Sequence, residues 1–167
     1  MLGRRYEEIL AHAFLERGHG MSYEYTWFAE LDGEIVGMVS GYVEGETHES
    51  EDDALMVAPG CRLRRRLGAA VLRLRWRMMG YPVPGEFYVE FLIVDAALRG
   101  RGVGGILMDA MESRARELDV DRITLDVAAK NAAGRRFYER RGRTPVPDWP
   151  RSRLGRRVVL RMTKELR

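Results

Sequence analysis

The stretch from Val94 to Ile106 concentrates glycine and arginine in a way that suits an anionic ligand. It reads VDAALRGRGVGGI and lies between a predicted buried strand and a predicted helix. At such a junction, backbone N–H groups without helical partners and the positive end of the helix dipole point at one place. Glycine lets the backbone approach a ligand closely, and Arg99 and Arg101 add positive charge. The stretch therefore predicts a site for a phosphate or pyrophosphate group.

One pattern within this stretch is typical of dinucleotide-binding proteins. Gly100-x-Gly102-x-x-Gly105 matches the glycine fingerprint, and Asp126 follows about 20 residues later, where that fingerprint places an acid for the ribose. The fingerprint normally opens a sheet of several parallel strand–helix units, whereas this chain offers one such unit. A dinucleotide-dependent oxidoreductase is therefore one of two interpretations of the loop.

The other interpretation comes from the pattern Arg99-x-x-Gly102-x-Gly104, which resembles the acetyl-CoA pyrophosphate loop of the GNAT acetyltransferase superfamily. A second segment supports the resemblance independently. NAAGRRFYERRG, from Asn131 to Gly142, is similar to the superfamily's Asn-x-x-Ala-x-x-x-Tyr-Glu-x-x-Gly segment. The resemblance implies an acetyl-CoA-dependent N-acetyltransferase that acts on a primary amine of a small molecule or peptide.

The resemblance also implies how the co-substrate acetyl-CoA is held. A substrate amine attacks the acetyl thioester directly in a ternary complex, and the Val94 N–H is a candidate donor to the thioester oxygen. The backbone around Val94 pairs with the pantetheine arm, and amides of the glycine loop hold the pyrophosphate. The cofactor-binding residues implied in this way are Ile93, Val94, Arg99, Gly100, Arg101, Gly102, Val103, Gly104 and Asn131.

Three side chains are candidates for the proton transfers of this reaction. Tyr138 matches the superfamily's usual proton donor to the departing thiolate, although an aromatic residue there could also serve packing alone. Glu90 is predicted to share a strand face with Leu92 and Val94, and a carboxylate in an apolar strand needs a partner or a raised pKa. Asp126 matches a position where some peptide amino-terminal acetyltransferases carry an acid. The base is left open between Glu90, Asp126 and a water relay.

The elements that position these residues follow from the hydrophobic pattern, since apolar residues recur at helical or alternating intervals. The pattern predicts an α/β (α+β) domain on a mixed sheet, with a hairpin turn at Asp32-Gly33. The resemblance implies that this sheet is GNAT-like, mostly antiparallel and flanked by helices. The predicted strands are Tyr25–Leu31, Glu34–Val43, Phe87–Asp95, Arg122–Val127 and Arg157–Met162. The predicted helices are an amino-terminal one that ends by Gly18, then Arg62–Met79, Gly102–Leu118 and Ala132–Arg141.

Several features depart from the superfamily pattern. The helix over 62–79 is an additional, basic element before the central strand, and its role is left open. The residue after Gly142 is commonly Phe in the superfamily, but here it is Arg143. Gly134 replaces the usual Ala, which weakens a short helix by about 1 kcal/mol. The chain starts at or inside a helical region, which leaves open whether the superfamily's first strand is present.

Composition limits the class of protein. The chain has 167 residues, a net charge of +3 and a single cysteine, Cys61. This length suffices for one domain with its own core, and one cysteine excludes an internal disulfide and a multi-cysteine zinc site. No apolar run approaches the roughly 20 residues of a membrane span, and no signal-peptide core follows the first residues. We expect a single domain over residues 1–167, cytoplasmic, with no bound metal and no membrane partner.

Charge is distributed unevenly along the chain. Residues 1–60 contain 3 basic and 13 acidic side chains, whereas residues 135–167 contain 12 basic and 3 acidic. In the superfamily the amino-terminal part helps to form the acceptor side, so we expect a cationic acceptor. A nucleic-acid partner is disfavoured because Trp76 is the single aromatic residue of the basic helix. A homodimer is left open, and a non-catalytic acyl-CoA-binding sensor or interaction module is the alternative function.

Overall fold

The computed structural model describes residues 11–12, 14–18, 20, 22–43, 83, 85–147, 149 and 159–167. The strands are β1 (Thr26–Leu31), β2 (Glu34–Val43), β3 (Phe87–Val94), β4 (Arg122–Ala128), β5 (Thr144–Pro145) and β6 (Val159–Glu165). The helices are α1 (Val103–Glu117) and α2 (Ala132–Arg140), and short 3₁₀ turns cover Tyr23–Tyr25 and Ala96–Leu98. The strands form one sheet in the order β1–β2–β3–β4–β6–β5.

The sheet is mixed, because β3 and β4 are parallel while the other described neighbours are antiparallel. The parallel pair follows from the chain path, since α1 carries the chain from the end of β3 back to the start of β4. The predicted mixed, mostly antiparallel sheet with flanking helices is confirmed. A dinucleotide-binding domain is built from several parallel units, so the described sheet contradicts that interpretation of the glycine loop.

The predicted hairpin between β1 and β2 is also confirmed. Asp32 and Gly33 both have positive φ, 53° and 85°. A two-residue hairpin turn that follows the strand twist needs this conformation at both positions, and aspartate and glycine adopt it most readily.

Helix α1 packs on one face of the sheet and forms the core with it. Leu107, Met108 and Met111 are buried there among apolar side chains of β2, β3 and β4. Gly37 on β2 permits the close approach, because a Cβ at that position would lie 3.0 Å from Leu107 and 3.3 Å from Val103. The first turn of α1 is thereby fixed against the sheet beside the end of β3.

Strand β3 contains a β-bulge at Glu90. The neighbouring residues Ser40 and Gly41 of β2 are opposite Phe91 and Val89, respectively, so Glu90 is the extra residue of β3. A bulge bends the strand and strengthens its twist locally. It also shifts the alternation of side chains between the two faces of the sheet.

The prediction that β3 is buried on both faces is confirmed for Phe87, Tyr88 and Val89 but is wrong for the part of the strand after the bulge. Val89 before the bulge and Leu92 and Val94 after it all pack into the core under α1. With regular alternation from Val89, Phe91 and Ile93 would have faced this core instead. These two residues lie on the other face and are 39% and 53% exposed.

Most other predicted elements agree with the structure to within one residue. Strand β6 is longer than predicted, since its pairing with β4 continues beyond Met162 to Glu165. The basic helix over 62–79, the acidic loop over 44–53 and the superfamily's first strand lie outside the described residues. Of the amino-terminal helix, residues 11, 12, 14 and 15 are described, and they are helical. No helix in the described part of the chain has the length and apolar character that crossing a membrane requires.

Candidate active site

A cleft opens in the sheet where β3 and β4 stop pairing. The two strands pair in parallel as far as Val89 and Leu125. Beyond these residues β3 continues to Val94 and β4 to Ala128, with no further pairs between them. The bulge at Glu90 follows the last pair directly and bends β3 at this point. A ligand can therefore reach between the two strands.

The cleft has a volume of about 910 Å³ and is lined by the end of β3, the glycine loop and α2. Most of the predicted cofactor-binding residues lie in its wall. These are Ile93, Val94, Arg99, Gly100, Gly102, Gly104 and Asn131. Val103 contributes from the first turn of α1 behind the wall, and Arg101 lies in the exposed part of the loop.

The register of β3 decides which of its backbone groups face the cleft. The Asp95 N–H donates to the Val36 carbonyl at 2.9 Å, so Asp95 bonds to β2 and, by the antiparallel alternation, Ile93 does as well. The N–H and C=O groups of Leu92 and Val94 point to the opposite, open edge. The cleft-facing backbone is therefore that of Leu92 and Val94. Ile93 lines the cleft, but its amide is directed at β2, which corrects its predicted backbone role.

The glycine loop turns the chain sharply from β3 into α1. The Asp95 carboxylate accepts a hydrogen bond from the Ala97 N–H at 2.8 Å and begins the 3₁₀ turn. Gly100 and Gly102 then take φ values of 78° and 92°, a left-handed conformation that favours glycine. The Arg99 Nε donates to the Val94 carbonyl at 3.2 Å and ties the loop to the end of β3.

The loop presents the first amides of α1 to the cleft. The first hydrogen bond of the helix runs from the Gly105 N–H to the Gly102 carbonyl at 2.8 Å. The N–H groups of Val103 and Gly104 precede this bond and have no partner within the helix. The Arg101 N–H donates instead to the Leu98 carbonyl at 3.3 Å. Of the predicted anion-binding amides, those at the helix start are therefore the best placed.

Helix α2 forms the opposite wall, and Asn131 is its N-cap. The Asn131 Oδ1 accepts a hydrogen bond from the Gly134 N–H at 2.9 Å. The same side chain explains the glycine at 134, because a Cβ there would lie 2.7 Å from the Asn131 Nδ2. The cap thus fixes where α2 begins at the cleft. The Asn131 side chain leaves no room at position 134 for the alanine that is usual in the superfamily.

Tyr138 lies on the inner side of α2, where it lines the cleft and packs against the core. Its ring meets that of Phe137 edge-on, with 5.1 Å between the ring centres. Burial raises the pKa of Tyr138 above its ordinary value, and the cation of Arg143 offsets part of this rise. The phenol is therefore protonated at neutral pH and has a proton to donate.

Glu90 lies at the point where β3 and β4 separate, and it is half-buried. The bulge interrupts the regular alternation between Glu90 and Leu92, so the register does not assign Glu90 to a face. That Glu90 shares a strand face with Leu92 and Val94 stays a prediction. Its position in the chain places it beside the opening of the cleft.

Asp126 lies on the part of β4 that has separated from β3, and it alternates with Leu125 and Val127, which pack into the core under α1. Both of its oxygens accept hydrogen bonds from Arg161 on β6, with Nε–Oδ1 at 3.0 Å and Nη2–Oδ2 at 3.1 Å. The Arg161 guanidinium also stacks on the ring of Trp149 at 3.6 Å. Asp126 is therefore engaged in a buried, bidentate ion pair. The sequence analysis singled out Asp126 but not Arg161, the arginine that pairs with it.

The mouth of the cleft carries positive charge. Arg99 from the glycine loop and Arg140 and Arg141 from the end of α2 line it. Arg141 also forms an ion pair with Asp109 on α1. Leu92, Arg140 and Arg141 were not singled out from the sequence, although the arginines fall in the segment that resembles the superfamily. The described residues contain no group of three His, Cys, Asp or Glu side chains that could hold a metal ion.

A comparison with known families decides which protein family this is. The profile described as "Acetyltransferase (GNAT) family" matches residues 3–74 and 65–142, which together are more than half of the chain. The chain belongs to the GNAT family. The resemblance based on the glycine loop and on the Asn131–Gly142 segment is thereby confirmed.

Other proteins match this GNAT chain in part or in fold. Mycothiol acetyltransferase from Corynebacterium aurimucosum is 41% identical over 69 residues, which cover 41% of this chain and 22% of that enzyme. The chain therefore spans about a fifth of the length of that relative.

Two solved structures are similar at low sequence identity. The N-acetyltransferase from Staphylococcus aureus Mu50 matches with a TM-score of 0.66 and 15% identity, over 93% of this chain and 77% of the other. The PaiA N-acetyltransferase from Thermoplasma acidophilum, solved with coenzyme A, matches with a TM-score of 0.53 and 11% identity, over 84% and 59%. At these identities the likeness confirms the fold.

Proposed function

We propose that this GNAT chain transfers the acetyl group of acetyl-CoA to a primary amine of a small molecule or peptide, in a ternary complex. The observation that carries the proposal is the separation of β3 from β4, with the start of α1 on one side of the cleft and Tyr138 on the other. A thioester lying between the strands is reached by hydrogen-bond donors from both sides.

The backbone and loop groups of the cleft are suited to the parts of acetyl-CoA. The amides of Leu92 and Val94 and the Leu92 carbonyl offer a strand edge that is not paired with β4, which suits the amide groups of the pantetheine arm; the Val94 carbonyl accepts from the Arg99 Nε. The amides of Val103 and Gly104, at the positive end of the α1 dipole, suit the pyrophosphate. Arg99 adds charge at the same end.

The reaction needs two proton transfers, and this chain has groups for both. The amine nitrogen bonds to the thioester carbonyl carbon, and the carbon–sulfur bond breaks. Tyr138 donates its phenol proton to the sulfur of the leaving group, and the proton lost by the amine passes to Glu90 directly or through water. The Val94 N–H donates a hydrogen bond to the carbonyl oxygen, where negative charge develops.

Glu90 is the better candidate for the base than Asp126. Both oxygens of Asp126 already accept hydrogen bonds from the buried Arg161, and this bidentate ion pair holds the carboxylate towards β6. Glu90 lies at the point of strand separation, beside the expected path of the thioester. We assign Asp126 to holding Arg161 against Trp149.

The acceptor is proposed to be cationic, because the amino-terminal third of the chain is strongly acidic. Such a field attracts a protonated amine at low salt, and salt screens it within about 10 Å at 0.1 M. A cytoplasmic location and a homodimeric assembly stay predictions.

Two measurements test the proposal together. Acetyl-CoA at 100 times its dissociation constant stabilises the fold by about 2.7 kcal/mol, which is visible as a rise in melting temperature, whereas NADH at the same concentration leaves it unchanged. Release of free CoA is then measured over a panel of cationic, neutral and acidic amines and of peptide amino termini.

The outcomes separate the candidate functions. CoA release that depends on an amine, highest for cationic acceptors at low salt, supports the proposal. A melting shift with acetyl-CoA but no release for any acceptor would support the non-catalytic acyl-CoA sensor instead. A larger shift with NADH would contradict acetyl-CoA binding.

A further inference from the structure

Gly105 is the third glycine of the fingerprint-like pattern in the glycine loop, and the acetyl-CoA pattern Arg99-x-x-Gly102-x-Gly104 does not include it. It lies in the first turn of α1, where glycine disfavours the helix. A Cβ at this position would lie 3.3 Å from the Arg141 Nη1. The glycine therefore lets the guanidinium of Arg141 lie close against the first turn of α1.

Arg141 reaches this place from the end of α2, and both ends of the residue are held. Its backbone N–H donates to the Tyr138 carbonyl at 3.0 Å. Its Nη2 donates to the carboxylate of Asp109, one turn after Gly105 on α1, in an ion pair. The guanidinium is therefore fixed against α1 rather than extended into water.

The guanidinium lies along α1, with its Nη2 at Asp109 and its Nη1 beside Gly105, nearer the start of the helix. The N–H groups of Val103 and Gly104, which the proposed function assigns to the pyrophosphate, belong to that start. Gly104, Gly105 and Arg141 all line the cleft. The cation and the helix amides are thus placed around the same end of the cleft.

The ion pair with Asp109 leaves other donors of Arg141 for a ligand. A guanidinium has five N–H donors in a planar fork, and the Nη2 uses one of them for Asp109. The Nε is buried and has no hydrogen-bond partner in the part of the chain that the structure describes. A buried N–H without an acceptor costs free energy, and phosphate oxygens are acceptors that suit the geometry of the fork.

Three arginines of the described chain line the cleft, and Arg141 is the one most withdrawn from water. Arg99 and Arg140 are exposed, and the Arg99 Nε already donates to the Val94 carbonyl at 3.2 Å. The side chain of Arg141 is 22% exposed, whereas that of its partner Asp109 is 66% exposed. Water therefore screens the opposing charge of Asp109 more than the charge of Arg141, which stays available to an anion.

We propose that Arg141 is a binding residue for the pyrophosphate of acetyl-CoA: placed over Gly105 and held by Asp109, its guanidinium donates to the phosphate oxygens together with the Val103 and Gly104 amides. This inference rests on the proposed function, in which those amides hold the pyrophosphate. It gives Gly105 a role, which is to make room for the guanidinium beside the helix start.

The test compares dissociation constants for three ligands at one low ionic strength. Acetyl-CoA and acetyl-dephospho-CoA both contain the pyrophosphate, the second lacks the 3′-phosphate, and acetyl-pantetheine lacks both groups. The first two are measured by titration calorimetry, and the weaker acetyl-pantetheine by NMR titration. Arg141→Met should raise the dissociation constants of the first two alike, by about 10–100-fold, and leave that of acetyl-pantetheine within about twofold.

Two more variants complete the design. Arg141→Lys keeps the charge without the fork, so it should weaken binding of the same two ligands by less than Arg141→Met does. It is also the second variant should Arg141→Met fail to fold, which melting without ligand reveals. Arg135→Met is the matched control, because it removes the same charge from α2 at a residue that pairs with Glu139 and does not line the cleft. It should leave all three constants within about twofold.

Three results would overturn the inference. They are an unchanged constant for acetyl-CoA in Arg141→Met, a rise of equal size with acetyl-pantetheine, which marks a structural effect on the cleft, and a rise confined to acetyl-CoA, which assigns Arg141 to the 3′-phosphate. Absence of acetyl-CoA binding in the wild type would remove the proposed function and this inference together. If acetyl-CoA binds but no acceptor supports turnover, the proposed transfer fails, and the three constants still decide the role of Arg141.

Discussion

Replacing Glu112 with glutamine tests whether the buried charges of Glu112 and Arg143 depend on one another. The Arg143 side chain has no exposed surface, and Glu112 is the carboxylate that contacts it in the described chain. Removing one partner of a buried ion pair leaves the other uncompensated, which costs about 3–5 kcal/mol. The other two cations at Glu112, Lys164 and Arg116, are partly exposed and are screened by water. The loss in unfolding free energy should therefore be at the lower end of this range, about 3 kcal/mol. For a chain of this size that lowers the melting temperature by about 6–12 °C.

The assay is urea denaturation at pH 7, with Glu117→Gln as the matched control on the same helix. Glu117 pairs with Arg114 at 3.1 Å, but both side chains are exposed, so this control should cost less than about 1 kcal/mol. The double variant Glu112→Gln with Arg143→Met should recover part of the loss, since it removes the buried charge as well.

The same variant has a pH signature. Burial acts to raise the pKa of Glu112, but Lys164 and Arg143 outweigh it, and the pKa lies below its ordinary value of 4.5. A lowered pKa in the folded state stabilises the protein above the unfolded value, and this stabilisation is lost as pH falls through the folded value. The difference between wild type and Glu112→Gln should therefore shrink below pH 4.5. A loss under about 1 kcal/mol at pH 7 would refute a tightly buried pair.

Three further predictions concern the cleft. Gly104→Val should abolish the melting shift with acetyl-CoA by blocking the helix amides, since its Cβ alone would already contact Phe137 and Val94 at 3.5 and 3.6 Å; a normal shift would contradict the loop assignment. Glu90→Gln should lower kcat most at neutral pH, with a smaller defect at high pH where the amine is already neutral; an equal defect at every pH would exclude Glu90 as base. Asp126→Asn should lower stability by about 3 kcal/mol, since it leaves Arg161 buried without its carboxylate, and should spare acetyl-CoA binding. Unchanged stability with a large loss of kcat would return Asp126 to the role of base.

The sequence predicted the scaffold well because most of its signals are local. The Asp32-Gly33 turn, the Asn131 cap and the apolar stripe of α1 each act within a few residues, so their positions can be determined without tertiary contacts. The glycine loop is similar, since a strand-to-helix junction determines where its amides point. The glycine loop and Asn131 contribute to the two walls of the cleft.

The parts that the sequence did not predict depend on pairing between distant strands. The bulge at Glu90 follows from the register against β2, and it decides both which β3 side chains pack into the core and which β3 amides reach the cleft. The pair between Asp126 and Arg161 requires β6 to lie beside β4, and the burial of Arg143 requires Glu112 on α1 to lie under the turn. No local pattern encodes these contacts, because the residues are far apart in the chain.

The most direct test of acetyl transfer in this cleft is the turnover of Tyr138→Phe at saturating acetyl-CoA, with an acceptor for which chemistry limits the rate. The substitution keeps the ring that packs against Phe137 and the core, and it removes the proton that the leaving thiolate needs. We predict a fall in kcat of about 10²–10⁴-fold, with the dissociation constant of acetyl-CoA nearly unchanged. Wild-type turnover in this variant would contradict the assignment of Tyr138 as the proton donor and with it the mechanism proposed for the cleft.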